Sequence, residues 1–347
     1  MMSTGSFLTR AASAALILFL AACGGGGGDA ATGVAVPTGV RSGTASAGSD
    51  LSAANAAAFT GPLARVFLGA ADGNTPGVSG GRETPQALTA TISGAAPVSH
   101  GLVGLSALTA ARVMAAASGF SREQPLAVST QTLACPYGGS LTASVNDADN
   151  NNKLSRGDSA TLTFNACVAD LGLPAASGSL SFTVNAVELD AAGEPTALDA
   201  TLTLNGFVEA GLGSLSGSFR VWYKDETPTT ARQRVSYQAT TVTEAGQTLR
   251  YDFDQYGVDG ASGGSFDLNG AVTLGGQTYT LTSDVFGYTA GALPTAGTLR
   301  LRDAAGDALI LRVRSATTFD LEFQANGATA PTVIAVGLTW STYRLGN

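Results

Sequence analysis

Histidine is nearly absent: His100 is the only one in 347 residues. A Ser-His-Asp triad needs an imidazole beside a serine, and most zinc sites draw on several His or Cys ligands, so both chemistries lack material. Charge is scarce too, at 13% of residues against about 25% in an ordinary soluble domain. Basic side chains number 18 against 26 acidic ones, for a net charge of −8. That balance argues against nucleic acid as a partner, which calls for a basic footprint. Gly211–Gly217 is glycine-rich but lacks the spacing and following helix of a dinucleotide fingerprint. Long apolar runs are missing as well. Ala11–Leu20 is uncharged and apolar, yet falls short of the roughly 20 residues that span a bilayer.

That short run has a function of its own. Arg10 precedes it, and Leu20-Ala21-Ala22-Cys23 closes it, the order of a secretion signal ending in small residues. The ending resembles the lipobox of bacterial lipoproteins. The resemblance implies that residues 1–22 are a signal peptide, cut just before Cys23. It also implies that the Cys23 thiol carries a diacylglycerol and that the new amine is acylated, for example by palmitate. Gly24–Gly28 then form a flexible tether. In the sorting rule of such proteins an Asp directly after the cysteine retains the protein at the inner membrane. Gly24 stands there, which implies the outer membrane, with the lipid as the membrane partner.

Residues 23–49 are rich in Gly, Ala, Ser and Thr and read as linker. Residues 50–130 read as short helices and irregular chain: Asp50 caps a helix over Leu51–Phe59, Gly61-Pro62 breaks it, Leu63–Leu68 adds a turn, and His100–Ser118 forms a further helix. Over 131–347 the apolar period becomes two, and thirteen strands are predicted between Ser140 and Trp340. Short turns such as Gly275-Gly276 and Asp303–Asp307 separate them, leaving no room for crossover helices. The fold class is therefore mainly β: a large antiparallel meander, curled like a barrel or half-barrel, with the N-terminal helices packed on it. A constant residue sum tests the register. A sum of 610 pairs Leu301 with Leu309, and 632 pairs Leu311 with Leu321 and Arg312 with Asp320. The odd residues then form one apolar face. Arg300, Arg302, Arg312, Arg314, Asp320 and Glu322 form the other, either a solvated surface or an arginine patch for anionic lipids or glycans. Trp222, Tyr223, Tyr237, Tyr251 and Tyr256 read as sheet and core residues.

An exported chain meets oxidising conditions. With Cys23 lipidated, Cys135 and Cys167 remain as a disulfide pair, the alternative being two buried thiols. A sum of 305 pairs Leu141 with Phe164 and Val145 with Ala160 in the hairpin between them. The cysteines sum to 302, so a bulge is expected near Pro136–Gly139. The loop runs Asp147–Asp158, with oxygen-bearing side chains at Asp147, Asp149, Asn151, Ser155 and Asp158 and a carbonyl available at Lys153. This spacing resembles an EF-hand calcium loop, with Asn152 in place of Gly and Asp158 in place of Glu. An Asx-rich turn needing no ion is the alternative.

Cys135, the Asp147-Ala148-Asp149-Asn150 and Gly157-Asp158-Ser159 segments, Cys167 and the closing Leu338-Thr339-Trp340 with Leu345 together resemble a block in poorly characterised Gram-negative cell-envelope lipoproteins. The resemblance covers about half the chain and implies no activity. Asp252 and Asp254 share a strand face and Asp259 follows, but a glycosidase needs two carboxyls across a cleft. The leading expectation is a non-enzymatic, membrane-tethered envelope lipoprotein with a structural or scaffolding role and a possible structural calcium ion. The second is a periplasmic carrier for lipid or another apolar ligand. A carbohydrate-active enzyme or binder comes third.

Overall fold

A computed structural model of the chain describes residues 34, 35, 37, 39, 41–73, 128–135, 137–151, 154–168, 175–191, 195–209, 213–227, 230–244, 247–260, 263–289 and 292–343. The lipobox with Cys23, the helix expected at His100–Ser118, and Pro136, Asn152, Lys153 and Leu345 lie outside the described residues.

The period-two sequence folds into fifteen strands: β1 (Val128–Ala134), β2 (Ser140–Asn146), β3 (Ser159–Cys167), β4 (Ala176–Leu189), β5 (Pro195–Glu209), β6 (Gly213–Thr227), β7 (Thr230–Glu244), β8 (Gln247–Gly260), β9 (Gly263–Leu274), β10 (Gln277–Ser283), β11 (Phe286–Thr289), β12 (Gly297–Arg302), β13 (Ala308–Val313), β14 (Thr318–Gln324) and β15 (Thr332–Thr339). They form one antiparallel sheet in sequence order, except that β11 pairs with β9 and β10 continues to β12. The sheet is curled but open, with β1 and β15 as its edges. Two strands exceed the expected thirteen. β1 has the polar sequence VSTQTLA and gives little apolar signal. The single strand expected over Thr278–Tyr288 divides before Phe286.

The register sums hold. Leu301 faces Leu309, Leu311 faces Leu321 and Arg312 faces Asp320, and Leu141 faces Phe164. The bulge, however, is displaced from the expected position. Cys135–Gly139 is the β1–β2 turn, closed by Cys135 N–H to Gly139 O and Gly138 N–H to Cys135 O. The slip lies instead between Phe164 and Cys167, where Ala166 takes φ 47°.

Ala166 opens a series of positive-φ residues, one per strand, continuing through Gly178, Gly206, Gly217 and Ala239. Each marks or adjoins a register slip in β3–β8. At Gly217 an added Cβ would stand 2.6 Å from the Thr240 Cα, and at Gly178 it would strike the Gly206 carbonyl. Bulges of this kind bend strands and increase their twist, so the series gives the sheet its curl.

One sheet face is the core, with Leu202, Leu268, Leu281, Leu299, Leu311 and Phe319 fully enclosed. The helix α1 (Ala56–Gly73) lies on it. The chain enters the helix through a turn closed by Ser52 and Asn55, not from a cap at Asp50: the Ser52 hydroxyl accepts the Asn55 N–H while Asn55 Oδ1 accepts the Ser52 N–H, the reciprocal pattern of a capping box. Pro62 does not break the helix as expected; it sits inside it. An interior proline costs about 3 kcal/mol or more, but Leu63, Val66, Phe67 and Leu68 are buried beyond it, at about 1.5–3 kcal/mol each. Phe67 stacks on Trp340 at 4.5 Å between centroids and meets Phe286 edge-on at 5.0 Å.

The segment before α1 is bound across the sheet. The Val34 N–H donates to Glu188 on β4. Arg41 donates to the Tyr237 carbonyl on β7 at 2.6 Å. The Ser46 N–H meets the Thr278 carbonyl on β10 at 2.9 Å. Asp303, in the β12–β13 turn, accepts the Leu51 N–H at 2.8 Å. We call the described residues 34, 35, 37, 39 and 41–50 the strap. At its first end Val34 packs with Ala197 and Trp222 in a small cluster separate from the main core.

Candidate functional sites

The tip of the β2–β3 hairpin gathers the expected carboxylates. Asp147, Asp149 and Asp158 each bring an oxygen within 4.8 Å of the others. Asp158 is buried, and its two oxygens accept the Ala148 N–H at 2.9 Å and the Ser155 N–H at 2.7 Å. Asn151 gives its N–H to Asp147 and Asp149, each at 3.2 Å, and its side-chain amide to Asp149. Leu154 drops into the core and Gly157 bonds to the Val184 carbonyl, so the tip is anchored to β4. Burial pushes the Asp158 carboxyl above the ordinary carboxylate range; its two backbone N–H partners oppose that and the charge of Asp147 adds to it. The Ser155 hydroxyl is buried at the same tip beside the Asp158 carboxylate, whose charged form it favours. Three carboxylates and a neighbouring hydroxyl form a hard-oxygen set suited to calcium. Asn151 and Ser155 lie with them; Lys153 is outside the described residues.

The disulfide joins Cys135 to Cys167, with their Cα atoms 5.5 Å apart. Reciprocal bonds brace it, Tyr137 N–H to Val168 O and Val168 N–H to Gly138 O.

On the arginine face of β12–β14, Arg300, Arg312 and Arg314 form ion pairs, and Arg302 donates to the Gly306 carbonyl. Arg312 holds Glu322 through two hydrogen bonds at 2.7 and 2.8 Å, and Arg314 holds Asp320 at 2.6 Å. Arg312 thus pairs diagonally and not with Asp320 directly opposite. Burial would raise the Asp320 carboxyl, but the Gly337 N–H and Arg314 outweigh it and hold the group below its usual range. Asp252 and Asp254 do not form a catalytic pair across a cleft. Asp252 accepts the Ala239 N–H and Arg250, while Asp254 is buried against Arg234.

A second site was not visible in the sequence. Between the strap and strands β5–β8 lies an open-sided pocket of about 580 Å³. Its floor is charged. Asp199 takes two hydrogen bonds from Arg220 and one from Asn185, which holds its charge in place. Arg234 reaches Asp254 Oδ2, and the strap's Arg41 approaches Asp254 Oδ1 at 3.8 Å. The Asp199 carboxylate, hydrogen-bonded to Arg220, raises the guanidinium pKa of that residue further. Ser236, Gln238 and Trp222 complete the strand side, and Pro37 lies on the strap side. No protein-family model matches the chain, and no curated protein and no solved structure matches it significantly.

Proposed function

We propose that this is a lipid-anchored cell-envelope protein, held at the outer membrane through Cys23, with a non-enzymatic structural or scaffolding role. The observation that carries the reading is the Cys135–Cys167 disulfide in a β domain that follows a lipobox and a glycine tether. Disulfides persist in oxidising compartments, where the lipobox would deliver the chain. The resemblance to envelope lipoproteins agrees with it. A scaffold is favoured over an apolar carrier because α1 and Trp340 already fill the core face against Phe266, Phe286 and Phe319. A structural calcium ion at Asp147, Asp149 and Asp158 belongs to the same reading.

Membrane fractionation of Cys23→Ala tests the anchor. The variant is expected to be missing from the membrane fraction and to lose labelling by radioactive palmitate; normal membrane recovery would overturn the anchor. Solvent extraction of the purified, unlipidated Cys23→Ala protein tests the role. A scaffold releases no stoichiometric lipid, whereas one apolar molecule per chain would establish the carrier.

A further inference from the structure

The pocket beneath the strap is unlike the rest of this molecule's charged surface. On β12–β14 Arg300, Arg312 and Arg314 each meet a carboxylate, Asp284, Asp320 or Glu322, while Arg302 donates to the Gly306 carbonyl. Here three guanidiniums, Arg41, Arg220 and Arg234, share two carboxylates, Asp199 and Asp254, which leaves one positive charge in excess. Each guanidinium has five N–H donors. Asp199 takes two from Arg220, and Asp254 takes one from Arg234.

Two buried groups in the wall also have open hydrogen-bonding capacity. The Trp222 side chain is 1% exposed, and its indole N–H has no partner. Asp254 is 4% exposed, and its Oδ1 accepts no hydrogen bond, only the looser 3.8 Å ion pair from Arg41. Leaving buried polar groups unmade costs about 1–3 kcal/mol each. An open donor and an open acceptor in one wall suit a hydroxyl-bearing ligand, because a hydroxyl both donates and accepts. The surplus guanidinium charge suits an anionic group. The volume falls within the roughly 300–1,000 Å³ of small-molecule pockets.

We propose that this pocket binds a hydroxylated organic anion of the sugar-acid class. Its carboxylate sits against the arginines, and a small shift of the strap, whose Val34 and Arg41 cover Trp222 and Asp254, lets its hydroxyls pair with the Trp222 N–H and Asp254 Oδ1. The strap residue Arg41 joins ligand to lid: it is fastened to the Tyr237 carbonyl and supplies the charge that Asp199 and Asp254 leave unbalanced. The site is independent of lipidation and of the tip carboxylates.

Calorimetric titration of the full chain in detergent tests it, with D-glucuronate, D-glucose and inorganic phosphate as probes. Glucuronate is expected to bind at least about tenfold tighter than glucose, the value of one charge-assisted hydrogen bond, and tighter than phosphate. Arg41→Gln should remove that tenfold preference. Trp222→Phe keeps the aromatic packing and loses one neutral donor, and should weaken glucuronate about two- to tenfold. It also reads the site if Arg41→Gln does not fold. Equal binding of phosphate would show a site that reads charge alone and would overturn the sugar-acid assignment. So would equal binding of glucose, no heat from glucuronate at about 10 mM, where a ligand of this class should be detectable, or a glucuronate affinity that folded Arg41→Gln or Trp222→Phe leaves unchanged.

Discussion

Strands β4–β8 run 14 or 15 residues, and their mutual pairings slip register seven times. The pairings from β9 through β14, between strands of 4 to 12 residues, do not slip at all. Both regions are antiparallel and joined by short turns, yet they serve different ends. In the regular region the core face is regular enough to receive α1, and Phe67 seats among Phe286 and Trp340. In the bulged region the bends curl the sheet, and the polar face of β5–β8 holds the strap pocket. A ladder without slips provides a surface for packing. A ladder with bulges re-aims side chains, and the unbalanced charges collect there.

The largest expected effect lies in the regular region. Phe67→Ala removes a fully buried ring, and deletions of that size cost about 3–5 kcal/mol. Urea unfolding followed by Trp fluorescence should show it, because Phe67 stacks on Trp340. A loss under about 1 kcal/mol would mean that the site collapses to fill the void and that α1 is not integral to this region.

Next comes the staple at the edge of the bulged region. Replacing Cys135 and Cys167 by Ser opens a loop with a sequence separation of 32, worth about 3–4 kcal/mol in loop-closure entropy. The β1–β3 edge should lose hydrogen-exchange protection first, while β12–β14 stays protected. Simultaneous loss in both regions would show that the sheet unfolds as one unit and that the comparison has no energetic counterpart.

The bulges themselves can be probed with substitutions of opposite sign. Gly178→Ala drives a Cβ toward the Gly206 carbonyl at φ 103°, an overpacking of about 1–3 kcal/mol. Ala239 already carries a side chain at φ 53°, where the left-handed region costs an L-residue about 1–2 kcal/mol. Ala239→Gly relieves that at an entropic cost of about 0.5–1 kcal/mol, so thermal melting should show no loss or a small gain. If both variants destabilise equally, the positive-φ series is not what sets the local backbone.

The same contrast explains what could be read from the sequence. The pairings Leu301–Leu309 and Val313–Phe319 follow from residue sums because nothing interrupts those hairpins. The sum fails once an extra residue intervenes, as at Ala166, so the bulge falls near Cys167 and not at Pro136–Gly139. Pro62 stays inside the helix because the tertiary burial of Leu63 and Phe67 outweighs a penalty that is purely local. The carboxylates at the tip are close in sequence, so their clustering was legible. The pocket was not: Arg41, Asp199, Arg220, Arg234 and Asp254 come from five segments. The strap that covers them has a Gly/Ala/Ser/Thr composition without period, and it is held through side chains such as Arg41 and Ser46.

Calcium gives the smallest expected shift, and it tests whether the hairpin tip is a metal site or a self-sufficient turn. Asp158 has both oxygens committed to backbone N–H groups and so shapes the loop with or without an ion. Asp147 and Asp149 share the Asn151 N–H and hold two negative charges close to a third. Like charges about 4 Å apart repel by about 1 kcal/mol per pair even in bulk water, and a dication reverses that term. Extracellular calcium modules bind at about 10⁻⁴–10⁻³ M. With a Kd of about 10⁻³ M, about 5 mM calcium stabilises the folded state by about 1 kcal/mol. That corresponds to a rise in Tm of about 2–4 °C for a domain of roughly 150–250 residues. Magnesium should give less, because it demands octahedral geometry and releases its water reluctantly. Asp147→Ala with Asp149→Ala should abolish the calcium increment. In calcium-free buffer the double variant should remain folded, since Asp158, Leu154 and the Gly157–Val184 bond still anchor the tip. An absent shift in the native chain, or an equal shift in the double variant, would make the loop a turn that closes without metal.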